Sequence, residues 1–139
     1  MKMNERLTVK DLPFADVYRE YEIRVSINGL GCVCGYIKIP AEHPWHGKVY
    51  GDVRMPGGDY VEVHGGLTFS ESITTDGWPQ KFTPGWWIGF DCGHYGDAPF
   101  GPSRMEPHPG GVVRTPEYAI SECHCLVEQA IDAGGGDRA

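Results

Sequence analysis

The segment Tyr21 to Pro40, YEIRVSINGLGCVCGYIKIP, constrains this chain more than any other stretch. Tyr21, Ile23, Val25 and Ile27 alternate with Glu22, Arg24 and Ser26, the period-two rhythm of a strand with one buried face. Asn28 and Gly29 then supply residues suited to the positive φ angles of a tight hairpin turn. With those two residues as the loop, Ile27 pairs with Leu30, Val25 with Cys32 and Ile23 with Cys34, which puts both thiols on the apolar face. Pro40 ends the second strand, because its nitrogen has no hydrogen to give to a ladder.

Further strands follow the same logic. In DYVEVHGGLTFSES, Val61 and Val63 alternate with Tyr60, Glu62 and His64, Gly65 and Gly66 interrupt, and Leu67 and Phe69 resume the alternation. A glycine pair within such a pattern predicts a bulge or a close backbone approach. Trp86 to Phe90 reads as a central strand. Neighbouring side chains on a strand point to opposite faces, so one of Trp86 and Trp87 is expected to face away from the core, exposed or lining a groove. The stretches 41–58 and 91–111 read as long loops, which in a small domain commonly carry function.

The C-terminal helix has clear limits. Thr115 is its N-cap, Pro116 sits where a missing N–H does no harm, Glu117 suits the positive helix start, and Gly134 to Gly136 stop it. Ala119, Ile120, Cys123, Leu126, Val127, Ala130 and Ile131 share one broad apolar face, which predicts a helix covering a sheet. The expected fold class is α+β: a small, mainly antiparallel sheet with long loops, packed by a C-terminal α-helix. With 139 residues and no repeat or break in composition, residues 1–133 read as a single domain and 134–139 as a disordered tail.

Nineteen acidic against twelve basic residues give a net charge of −7. That is the wrong sign for the counterion release that drives binding to nucleic acid backbones, so direct nucleic-acid binding is not expected. No run reaches the ~18 apolar residues of a membrane span, and MKMNERLTVKDL lacks the apolar segment of a secretory signal. A cytoplasmic location without membrane contact is the expectation. Five cysteines are then read as reduced, buried thiols. Cys123, His124 and Cys125 diverge around the helix and cannot chelate one ion, and Cys32 and Cys34 lack the spacing of a zinc knuckle.

Signature motifs for phosphate, dinucleotide, zinc-protease or serine-hydrolase chemistry are absent from the sequence. The chemistry-bearing residues lie instead at the ends of predicted strands. His64, Asp91, His94 and Asp97 offer two imidazoles and two carboxylates, a donor set for a divalent metal with open positions. The same groups could form a His and Asp acid/base pair, or simply accept hydrogen bonds from loop backbone. Cys92 beside His94 would be a thiolate nucleophile only in an electropositive pocket, and this region supplies two aspartates. His43, Trp45 and His46 form either a rigid turn with an aromatic anchor or a loop contacting a ligand or partner, as Trp86 and Trp87 could also do.

The words CGYIKIPAEHPWHGKVY, VHGGLTF and WWIGFDCGHYGD, in that order before a helix, resemble a family of small uncharacterised proteins of bacteriophages and bacterial mobile elements. The resemblance runs from Cys34 to Asp97 and over the helix, and excludes the N-terminal part and the insertion MEPHPGGVVR. It implies a phage-type accessory context, such as counter-defence or host takeover, and assigns no catalytic residue. Two functions are therefore expected. One is non-catalytic binding of a host protein or small signalling ligand. The other is a small metal-dependent hydrolase acting on a phosphorylated or nucleotide substrate through the His and Asp cluster.

Overall fold

A computed structural model of the protein describes residues 6–75, 80–103 and 109–134. Five strands form one antiparallel sheet: β1 (Phe14–Tyr18), β2 (Tyr21–Ile27), β3 (Val33–Ile39), β4 (Phe69–Ile73) and β5 (Gly85–Asp91), in the order β1-β2-β3-β5-β4. Two short strands, β6 (Asp97–Ala98) and β7 (Val112–Val113), pair in parallel beside it. The helix α1 (Pro116–Ala133) packs across the sheet, so the architecture is the expected α+β arrangement. Among the described residues no helix is long and apolar enough to cross a membrane.

The hairpin of β2 and β3 has a different register from the one its sequence suggests. Ile27 faces Val33, Val25 faces Gly35 and Ile23 faces Ile37. Asn28 to Cys32 form a five-residue loop, because the Asn28 side chain accepts hydrogen bonds from the backbone N–H groups of Leu30 (2.9 Å) and Cys32 (3.0 Å). Gly31 takes the positive φ of 79°, and its carbonyl accepts from Phe100 and Gly101. Cys34 consequently lies opposite Ser26, on the sheet face away from Ile23 and Val25, while Cys32 belongs to the loop. The strand reading of Val61 to His64 is also corrected. Its backbone is satisfied by helix side chains: Glu62 N–H donates to Gln129 (2.8 Å) and His64 N–H to Glu122 (2.8 Å).

Both faces of the sheet are covered. On one, Ile23, Val25, Ile37, Ile88 and Phe90 meet Ala119, Cys123, Leu126, Val127 and Ala130 of α1. Gly35 makes that approach possible, since a Cβ there would stand 2.5 Å from the Phe90 ring and 2.8 Å from Cys123 Sγ. On the other, Cys34, Tyr36, Phe82 and Trp87 form a second cluster with Phe69 and Ile73 packed against it. Arg24 closes this side, its guanidinium 5.2 Å from the Trp87 ring centre and its Nε donating to Lys81 O. Each large side chain so enclosed contributes about 1.5–3 kcal/mol relative to exposure. Trp87, turned away from the helix, is therefore fully buried by this second cluster rather than exposed, and Trp86 is half-buried on the helix side.

The helix limits match their sequence signals. The Thr115 hydroxyl accepts from Tyr118 N–H, Pro116 opens the first turn and Gly134 caps the end. The rest of the expected disordered tail, 135–139, lies outside the described residues, as do Trp78 and most of the MEPHP insertion.

Candidate functional site

The end of β5 and the turn after Val63 bring together the four polar residues singled out from the sequence. Asp91 ends β5, and its carboxylate accepts from Thr68 Oγ1 (2.9 Å) and Gly93 N–H (3.0 Å). Asp97 folds back on the same loop, accepting from His94 N–H (3.0 Å) while its own N–H donates to His94 O. Opposite, Gly65 and Gly66 adopt positive φ and turn the chain after His64. A Cβ on Gly65 would meet His94 Nε2 at 2.2 Å, so that glycine leaves room for the imidazole against its backbone.

His64 is held at both ring nitrogens. Nε2 lies 2.7 Å from Asp97 Oδ2 and Nδ1 lies 2.8 Å from the Tyr118 hydroxyl. Arg114 Nε donates to Asp97 Oδ1 at 2.9 Å, and its guanidinium sits 4.9 Å from the centre of the Tyr118 ring. Burial pushes the Asp97 carboxyl up, but hydrogen bonds from His64, Arg114 and His94 N–H outweigh it and hold the group below the ordinary carboxylate range. An ionised Asp97 only accepts, so His64 Nε2 carries the hydrogen in that contact. Burial, with Glu122 nearby, raises the Tyr118 phenol above its usual value, which keeps its hydroxyl protonated.

His94 is placed differently. Its Nε2 stops 3.5 Å from Asp91 Oδ1, without hydrogen-bond geometry, and its ring centre is 5.9 Å from that of His64. The four predicted ligands thus form two His and Asp pairs instead of one coordination set. Among the described residues no group of three or more His, Cys, Asp or Glu is placed to hold a metal ion. Both nitrogens of His64 are engaged by Asp97 and Tyr118, so the donors read as a possible metal site do not converge as one ligand set.

The other predicted contacts are mostly internal. Burial, with the nearby Asp97, Cys34 and Asp91, pushes the Cys92 thiol up to about 12, so it is no thiolate nucleophile. His43 Nε2 donates to Ala130 O (2.6 Å) at the end of α1, and its Nδ1 accepts from Trp45 N–H (2.9 Å). Trp45 is buried, its indole N–H donating to Arg54 O. HPWH is accordingly a turn latched to the helix, the rigid-anchor alternative. His46 is exposed, 6.2 Å from the half-buried Trp86. Tyr118, Arg114, Glu122 and Thr68 escaped sequence reasoning. Tyr118 lies 54 residues from His64, and no spacing rule links them.

No family model, no curated protein and no solved structure matches this chain.

Proposed function

We propose that the protein is a non-catalytic accessory protein of phage type that binds a host protein or a small signalling ligand. The observation that carries this reading is how the His and Asp cluster spends its polar atoms. The Asp97 side chain, 3 % exposed, accepts from His64, Arg114 and the His94 backbone, and His64 has no unengaged ring nitrogen. Such a network ties the loop after β5 and the turn at His64 to the start of α1. The phage-type context rests on the resemblance of the sequence words alone.

A second reading, a hydrolase of phosphorylated or nucleotide substrates working without metal, is favoured by one observation. Asp97, His64 and Tyr118 are linked in the order of orienting acid, base and hydroxyl. The raised Tyr118 phenol opposes it. Hydrolysis of 4-nitrophenyl phosphate and bis(4-nitrophenyl) phosphate by the purified chain separates the two. The binding reading expects both rates at the buffer level, in the wild type and in His64→Gln alike. Turnover abolished by His64→Gln and by Tyr118→Phe would overturn it.

A further inference from the structure

Residues 61–64 run beside α1 as a strap, and among the described residues no strand pairs with them. Side chains of the helix hold the strap instead. Gln129 takes both backbone groups of Glu62, accepting from its N–H at Oε1 (2.8 Å) and donating from Nε2 to its carbonyl (2.8 Å). Glu122 accepts from His64 N–H at 2.8 Å. Glu122 and Gln129 are about two helical turns apart and so share one side of α1. The His64 ring, bonded to Asp97 and Tyr118, is a further attachment.

Apolar packing keeps the strap closed as well, since Val61 is buried and Val63 packs against the same core. Its backbone is nevertheless secured differently from that of the sheet. β3 lies between β2 and β5 and gives its backbone groups to ladders on both sides. The strap gives its N–H groups to Gln129 and Glu122, side chains that are only half-buried. Segments whose backbone bonds reach solvent are the ones that open before the rest of a fold. The two ends suit such a motion. Tyr60 stays in place, bridged to Arg54 and covered by its guanidinium at 3.8 Å from the ring centre. At the other end Gly65 and Gly66 take φ of 67° and 80°, and a Cβ on Gly66 would meet nothing within 4 Å, so that backbone turns without a neighbour in its way.

The same residues form walls of two openings in the surface. Glu62, Val63 and His64 line a groove of about 720 Å³ whose other wall is α1. Val61 lines a separate cleft of about 270 Å³, with Tyr50 and Leu67 among the residues around it. A strap that swings out reshapes both openings at once and bares Val61 and Val63.

We propose that residues 61–64 open as one unit about the Gly65–Gly66 turn, released from Glu122 and Gln129 of α1 while the five-stranded sheet and the helix stay folded. This opening is a property of the chain alone and is independent of both the binding and the hydrolase reading. Residue-resolved amide hydrogen exchange of the full chain, followed by NMR at several urea concentrations below the unfolding transition, tests it. The N–H groups of Glu62 and His64 should exchange about a hundredfold or more faster than those of β3. Their rates should depend only weakly on urea, because a local opening exposes little surface, whereas those of β3 should rise steeply. Gln129→Ala, which places a strong helix former on α1, leaves the bond from His64 N–H to Glu122 intact. It should still speed exchange at His64 about tenfold, the scale of two ordinary hydrogen bonds. Glu122→Ala should in turn speed exchange at Glu62. A urea dependence at Glu62 and His64 as steep as that of β3 would overturn the strap, as would variants that each speed only the amide whose own partner was removed.

Discussion

Asp97 is the residue on which the polar cluster turns, since its carboxylate joins His64, Arg114 and the His94 backbone with its side chain almost wholly out of water. Because that carboxyl is held below its ordinary value, its contribution to stability is complete above about pH 4 and is lost as the pH falls through the lowered value. Replacing Asp97 with Asn should cost about 2–3 kcal/mol near pH 7, the scale of hydrogen bonds to a charged group. It should also flatten the acid limb. Urea melts of both proteins between pH 5 and pH 2 read the difference, and parallel stability curves would contradict this role for Asp97.

At the scale of elements, β3 meets β5 and α1 at close quarters, and Gly35 marks the place. Its absent side chain lets Phe90 of β5 and Cys123 of α1 close over the same point. Gly35→Ala should therefore overpack the layer and lose about 1–3 kcal/mol. Gly29→Ala is the matched control, because a Cβ there meets nothing within 4 Å and Gly29 is not among the glycines of positive φ. Its effect should stay within about 0.5 kcal/mol. Unfolding in urea compares the two, and equal losses would refute the close approach. The contrast also inverts the sequence reading, in which Gly29 was the essential glycine of the hairpin.

For the molecule as a whole, the two covered faces of the sheet make thiol reactivity a report on global unfolding. Burial pushes the thiols of Cys34 and Cys92 up to about 12 and raises those of Cys32 and Cys123, all four being buried, while Cys125 is exposed on the helix. Iodoacetamide at pH 8 should add a single adduct, at Cys125, to the native protein and five in urea, as read by intact-mass spectrometry. Two or more rapid native adducts would show that one of the sheet faces opens without unfolding.

The sequence by itself determined the parts whose cause is local. Thr115, Pro116 and Gly134 bound the helix as their capping chemistry requires, and the alternation in Tyr21 to Ile27 and the apolar run Trp86 to Phe90 made strands. Tertiary structure decided what depends on partners distant in the chain. The hairpin register was set by the Asn28 cap and by Phe100 and Gly101 reaching Gly31, and Glu62 and His64 gave their N–H groups to helix side chains in place of a strand. Likewise Trp87 was buried by a second cluster, and Tyr118 of α1 and Arg114 just before it completed the polar site. Periodicity and capping act over a few residues and are legible in a single chain. Which backbone group finds which distant side chain is a choice made only when the layers close, because a buried backbone N–H or carbonyl left without a partner is costly.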